Sequence, residues 1–178
     1  ILGKKINEVW NYSGYMNFKT QFDKGIDPKD PKNKISHFFS PVFFQFGPGI
    51  FWKKHDNFKI NVSPAAPRFV FVHSEFTKNG KSFGVSREEV MLFEFGASLY
   101  TYYKFNIMKN ISMENIFLAY ANYFNNTKGV DFDYQGTISM KVNKFFSANI
   151  YYEALYDFES LEMLQQKQSI GVGLKYAF

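Results

Sequence analysis

An all-β chain folded as an antiparallel transmembrane β-barrel of the outer-membrane type is what three features of this sequence predict. Long stretches alternate strictly between apolar and polar residues. Aromatic residues are abundant although the mean hydropathy is slightly negative. The connections between the alternating stretches switch regularly between short and long.

Composition narrows the class first. At 178 residues the chain is expected to form one domain, residues 1–178. Phe and Tyr number 23 and 12, charged residues make up 21% of the chain, and the mean hydropathy is −0.29. A helical membrane protein would carry runs of about 20 apolar residues. The densest run here, 38–46, is short and contains Ser40, Pro41 and Gln45. A disordered chain would lack the aromatics. A barrel in lipid needs apolar residues only at every second position of each strand, so its average hydropathy stays low. Without cysteine, neither a disulfide framework nor a thiolate metal site is expected. The net charge of +5 rests on lysine, because Arg68 and Arg87 are the only arginines. The chain opens ILGKK with no signal-peptide pattern, as expected for a mature form or a fragment of one.

Period-two alternation and turn residues mark eight expected strands. In the first, 7–22, Trp10, Tyr12, Gly14, Met16, Phe18, Thr20 and Phe22 oppose Asn11, Ser13, Tyr15, Asn17, Lys19 and Gln21. Sixteen residues exceed an ordinary soluble strand. Residues 23–34, with two prolines and mixed charge, are expected to be a loop. The second strand, 35–52, has Phe in both registers around Pro41 and Pro48, which leaves its faces unassigned and calls for bulges. The third, 58–76, is interrupted at Pro64-Ala65-Ala66-Pro67, where a bend and a register reset are expected.

After a loop containing Asn79-Gly80, the fourth strand, 88–105, sets Met91, Phe93, Phe95, Ala97, Leu99, Tyr103 and Phe105 against Glu94, Gly96, Ser98, Tyr100, Tyr102 and Lys104. The fifth, 111–124, has faces that the pattern does not separate. The sixth, 130–142, opposes Val130, Phe132, Tyr134, Gly136, Ile138, Met140 and Val142 to Asp131, Asp133, Gln135, Thr137, Ser139 and Lys141. The seventh, 145–156, opposes Ala148, Ile150, Tyr152, Ala154 and Tyr156 to Ser147, Asn149, Tyr151 and Glu153. The last, 166–178, alternates without a slip and ends on Phe178, with Gly173, Tyr176 and Phe178 matching the carboxy-terminal insertion signal of bacterial outer-membrane proteins. Counted from the carboxy terminus, the connections run long (157–165), very short (143–144), medium (125–129), short (108–110), long (77–87), short (53–57) and long (23–34). Bacterial barrels have short periplasmic turns and longer outer loops. A soluble sandwich has no reason to alternate in this way. The carboxy terminus is thereby expected on the periplasmic side.

Several short motifs occur in one order: Trp10-Asn-Tyr-Ser, Phe18-Lys-Thr-Gln-Phe22, Ile35-Ser with Pro41, Gly47-Pro-Gly, Ser63-Pro64, Phe95-Gly-Ala97, Met140-Lys-Val-Asn-Lys144, Tyr156-Asp157 and Gly171-Val-Gly173. Together they resemble a group of Gram-negative, Bacteroidota outer-membrane β-barrel proteins known only as a domain of unknown function. The resemblance spans nearly the whole chain. It implies further amino-terminal strands, about 12 in a complete protein, with Ile1-Leu2 as the tail of a preceding strand. It brings no catalytic residues.

Candidate functional residues follow from the strand faces. A lysine or arginine facing lipid at mid-membrane costs about 2–4 kcal/mol. Lys19, Glu94, Lys104, Asp131, Asp133, Lys141, Glu153 and Lys175 are therefore expected in the lumen, as a salt-bridged interior or, alternatively, a polar pore or small-ligand site. Arg68, after the PAAP bend, is expected to anchor inward carboxylates such as Glu94 or Glu114 through its rigid fork. His37, His55 and His73 have no metal-ligand spacing along the chain, so no metal is expected. Ser74 and His73 point to opposite faces and form no nucleophile–base pair, and no cofactor is expected. Lys24, Lys29, Lys32, Lys34, Lys78, Lys81, Arg87 and Lys128 lie in the expected outer loops, where contact with lipopolysaccharide phosphates is the sharper alternative to simple solvation. Nucleic acid is not an expected partner, because the aromatics alternate along strands and form no stacking platform. The expected role is a non-enzymatic structural subunit of a larger outer-membrane complex, touching membrane lipid and other outer-membrane or periplasmic subunits. The alternatives are a small passive channel and, less favoured, a lipid-modifying enzyme.

Overall fold

The computed structural model describes residues 1–27, 30–124, 129–158 and 163–174. Its elements in order are β1 (Leu2–Lys5), β2 (Trp10–Thr20), β3 (Gly25–Asp27), β4 (Asp30–Ser36), β5 (Val42–His55), β6 (Phe58–Phe71), the one-turn helix α1 (Ser74–Thr77), β7 (Met91–Met108), β8 (Ile111–Asn122), β9 (Val130–Lys141), β10 (Phe146–Tyr156) and β11 (Leu164–Leu174). Nine of the strands form one antiparallel sheet in the order β1-β2-β5-β6-β7-β8-β9-β10-β11, and β3 pairs with β4 in a separate hairpin. No helix among the described residues is long and apolar enough to cross a membrane, which says nothing of crossing by strands.

The all-β, antiparallel expectation holds, and several boundaries change. The main sheet has nine strands, one more than the pattern predicted. The extra one is β1, a preceding strand that runs to Lys5 and pairs with residues 11–14 of β2; four residues are too few to show a period. The stretch 23–34, expected to be a loop, contains β3 and most of β4. The strand expected over 35–52 is broken: β4 ends at Ser36 and β5 begins at Val42, with the tight turn 37–40 between them. The strand expected over 58–76 ends at Phe71, because the chain turns there into the connection that holds α1.

Ladder register assigns every face, since directly paired residues share one side of the sheet. On β2, β7, β9 and β10 the polar set of the sequence pattern makes one face. The same face receives Phe43, Gln45, Gly47, Gly49 and Phe51 of β5, and Glu114, Ile116, Leu118, Tyr120 and Asn122 of β8. This face is concave. Lys19 on β2 lies 3.7 Å from Asp133 on β9, five strands away in the sheet. Neighbouring strands lie about 4.8 Å apart, so five steps across a flat sheet would separate them by roughly 24 Å. Only a strongly curled sheet brings the two together.

Burial is inverted relative to a water-soluble core. Ser13, Asn61, Ser63, Glu94, Ser98 and Asn122 are buried on the concave side. Met16, Phe18, Phe93, Tyr103, Ile150 and Val172 are exposed on the convex side. A conventional apolar cluster occurs only locally among the described residues: Val70, Val72 and Val85, with Phe43, Phe76, Phe83 and Leu92 packed around them. It joins the ends of β5, β6 and β7 to the 72–90 connection.

Among the described residues the connections alternate in length; most of the expected 125–129 and about half of 157–165 lie outside them. Residues 6–9, 56–57, 109–110 and 142–145 are the short turns at one end of the sheet, and the chain leaves β2 and β6 at the other end into the long connections 21–41 and 72–90. In the 56–57 turn the Lys53 ammonium, 2.6 Å from Asp56, holds that exposed carboxyl below its usual range. The strands of the main sheet from β2 onward are 11 to 18 residues long.

Candidate functional site

The site is built on the concave face near the long connections, and the PAAP segment makes it possible. Asn61 and Ser63 of β6 face inward, so unbroken alternation would carry 65, 67 and 69 inward and send Arg68 outward. A register shift between Ser63 and Ala66 adds a residue, and from there Ala66, Arg68 and Val70 face inward. Prolines 64 and 67 suit the irregularity because they have no N–H to leave unpaired. Gly47 on β5 accommodates it: a Cβ there would collide with the Ala65 carbonyl. The reset expected from sequence is thus the device that delivers the arginine.

Once inside, Arg68 is held on three sides. Register places it directly opposite Glu94 of β7, and its Nε donates to Glu94 Oε2. Its Nη2 lies 2.6 Å from Asp131 Oδ2 on β9. The guanidinium sits 4.1 Å from the centroid of the Tyr120 ring, a cation–π arrangement. Tyr120 in turn donates its hydroxyl to the Ala66 carbonyl at 3.1 Å. Gly96 lies beneath the ring; a Cβ there would collide with the Ala121 carbonyl and crowd the Tyr120 ring. Asn122 Nδ2 donates to the second Glu94 oxygen at 2.9 Å. The Glu94 side chain is 1% exposed, so both its oxygens are satisfied where water does not reach. Around this centre, Asp133 accepts from Gln135 Nε2 at 3.1 Å and pairs with Lys19.

A cavity of about 420 Å³ adjoins the network, lined by Tyr15, Lys19, Gln45, Arg68, Tyr120 and Asp133 among others. Towards the short turns a looser group recurs. Tyr102 donates to Glu114 at 2.9 Å and Lys104 lies 3.5 Å from the same oxygen. Glu114, one of the two carboxylates expected for Arg68, therefore serves Lys104 instead, because it lies on β8 opposite Lys104. Lys141 faces inward opposite Ser147, and Glu153 stands between Gln135 and Lys167 in the ladders. Lys175 lies outside the described residues, as do Tyr176, Phe178, Lys29 and Lys128. Gly173 is on β11 opposite Ser147.

Lys24, Lys32, Lys34, Lys78, Lys81 and Arg87 all lie at the long-connection end; Lys32 and Lys34 sit on β4, and Arg87 Nε donates to the Lys78 carbonyl at 3.2 Å. Two of the three histidines, given no ligand role by their spacing, meet in space: His37 and His73 come together with Glu75. Their meeting depends on the fold of two connections, which no local spacing encodes.

As chemistry, the concave centre holds two charge groups, Lys19 with Asp133 and Arg68 with Glu94 and Asp131, with Arg68 committed through its fork and its face. That arrangement cross-links β2, β6, β7 and β9 through the interior. Comparison with protein-family models, curated proteins and solved structures finds no match to this chain.

Proposed function

We propose that the chain is the wall of an outer-membrane β-barrel of a Gram-negative bacterium, and that it serves as a non-enzymatic structural subunit of a larger outer-membrane assembly. The inverted burial carries this reading: the concave face is polar and ion-paired, while the convex face is apolar and aromatic over strands of at least 11 residues. A strand needs about 9–11 tilted residues to cross a bilayer. Water is a poor solvent for that outer face and lipid a good one. Such a barrel has the carboxy terminus on the periplasmic side and outer loops whose lysines meet lipopolysaccharide phosphates.

The strand count among the described residues calls for a further strand. With nine antiparallel strands in order, β1 and β11 run in the same direction, so direct closure would need a parallel pair. Bacterial barrels close with an even number of antiparallel strands. At least one more strand, from a longer form of the polypeptide or from a partner, completes the ring. The resemblance to the Bacteroidota outer-membrane group, with strands ahead of this segment, points the same way. The cross-linked interior argues against a wide passive pore.

Two experiments separate the readings. Extraction from native membranes in mild detergent, followed by mass spectrometry, is expected to return defined partner proteins in fixed ratio; isolation of the chain alone each time would end the subunit reading. Planar-bilayer recording is expected to be silent across salts, and discrete conductance steps would favour the channel.

A further inference from the structure

The group formed by His37, His73 and Glu75 lies outside the interior network and has a geometry of its own. His37 belongs to the tight turn 37–40, in which its N–H donates to Ser40 O at 3.0 Å and Ser40 N–H donates back at 2.9 Å. Ser40 is almost fully buried, and its Oγ accepts the His73 N–H at 2.9 Å. One serine thus clamps the connection before β5 onto the connection after β6. Phe76, which also packs on the Val70–Val72–Val85 cluster, supports the His37 ring at 5.1 Å between centroids. The two imidazoles are held 5.1 Å apart by centroid, on a fixed base.

The ring nitrogens are sorted by their partners. His37 Nδ1 lies 2.8 Å from the Phe38 carbonyl, which only an N–H can satisfy. Its Nε2 then faces Glu75 Oε1 at 3.1 Å. With Nδ1 donating to the carbonyl, the Nε2 lone pair of the ring is directed toward that carboxylate oxygen, where a metal ion could be shared by both. His73 Nδ1 accepts from the Glu75 N–H at 3.4 Å and lies 3.9 Å from the same carboxylate oxygen. Two imidazole nitrogens and a carboxylate therefore converge, all within 4.8 Å of one another. Ligands about 2.0–2.2 Å from a tetrahedral zinc ion lie roughly 3.3 Å apart. The His37–Glu75 separation already fits, and His73 must move toward both, exchanging the long 3.4 Å bond its Nδ1 accepts from the Glu75 N–H for the metal.

We propose that His37, His73 and Glu75 form a three-ligand site for a zinc-class divalent cation that ties the two connections together and leaves a coordination position open to solvent. Two imidazoles with one carboxylate suit zinc and its transition-metal neighbours rather than magnesium or calcium, which take oxygen ligands. A carbonyl bond to the other nitrogen of a ligating histidine, as His37 has with Phe38, is the usual way such a ring is oriented. Both His73 and Glu75 are about half exposed, so a cation reaches the site without unfolding either connection. The site stands on its own geometry and does not depend on the membrane reading.

The test is calorimetric titration of Zn²⁺ into the untagged, detergent-solubilised full chain. One equivalent is expected, with affinity reduced at least about 10–100-fold by His73→Ala or Glu75→Ala, the range already set by losing an outer-shell partner. His55→Ala is expected to have no effect, because His55 lies at the opposite end of the sheet. X-ray absorption on the zinc-loaded wild-type chain, which needs no variant to fold, is expected to show two imidazoles in the coordination shell. Absence of one-equivalent binding, its survival in a His37→Ala/His73→Ala double variant, or a shell without two imidazoles would overturn the proposal.

Discussion

The interior of the sheet carries two ion clusters of the same chemistry in different surroundings. Near the long connections, Arg68, Glu94 and Asp131 are interlocked, with side chains 14%, 1% and 15% exposed. Near the short turns, Lys104 and Glu114 form an equally recognisable pair with side chains 44% and 36% exposed. The difference lies in what covers them. The first lies under the Tyr120 ring and beside the Val70–Val72–Val85 cluster, whereas the second is more than a third exposed. Breaking a dry, interlocked charge pair is costly, whereas an exposed pair contributes little.

The sharpest way to break this contrast is to remove the arginine. Arg68→Met leaves Glu94 and Asp131 facing each other without a cation in a dry site, and is expected to cost about 3–5 kcal/mol. Equilibrium guanidinium unfolding in micelles measures it. Neutralising the partners as well, in Arg68→Met/Glu94→Gln/Asp131→Asn, is expected to recover most of that loss, because it is the orphaned charge that destabilises. At the other cluster, Lys104→Ala is expected to change stability by no more than about 1 kcal/mol, since exposed pairs contribute little. Equal losses for Arg68→Met and Lys104→Ala would erase the distinction between the two ends.

What is legible in the sequence follows the same division. On β2, β7, β9 and β10 one face is polar and the other apolar, so alternation alone marks the inward charges. On β5 it fails because Phe43 and Phe51 face inward while Phe44 and Phe46 face outward, and an aromatic then says nothing about side. On β8, Ile116 and Leu118 point inward beside Glu114 and Tyr120, which removes the contrast that periodicity needs. Arg68 is legible, and so is its dependence on the PAAP reset, because prolines in a strand announce an irregularity. The Tyr120 platform, and the glycine beneath it, depend on register between three strands. The meeting of His37 and His73 depends on Ser40 joining two connections. Neither has a local signature.

In the proposed barrel the convex face meets lipid while the concave face meets water and its own charges. The absence of cysteine makes the chain suited to single-site spin labelling. Labels are placed one at a time along β9, at Tyr134→Cys and Ile138→Cys on the convex face and at Gln135→Cys and Thr137→Cys on the concave one, in the chain reconstituted into phospholipid vesicles. Collision with oxygen, which concentrates in lipid, is expected to dominate at 134 and 138. Collision with a water-soluble nickel chelate is expected to dominate at 135 and 137, giving a period of two along the strand. Nickel access at all four positions would contradict the account.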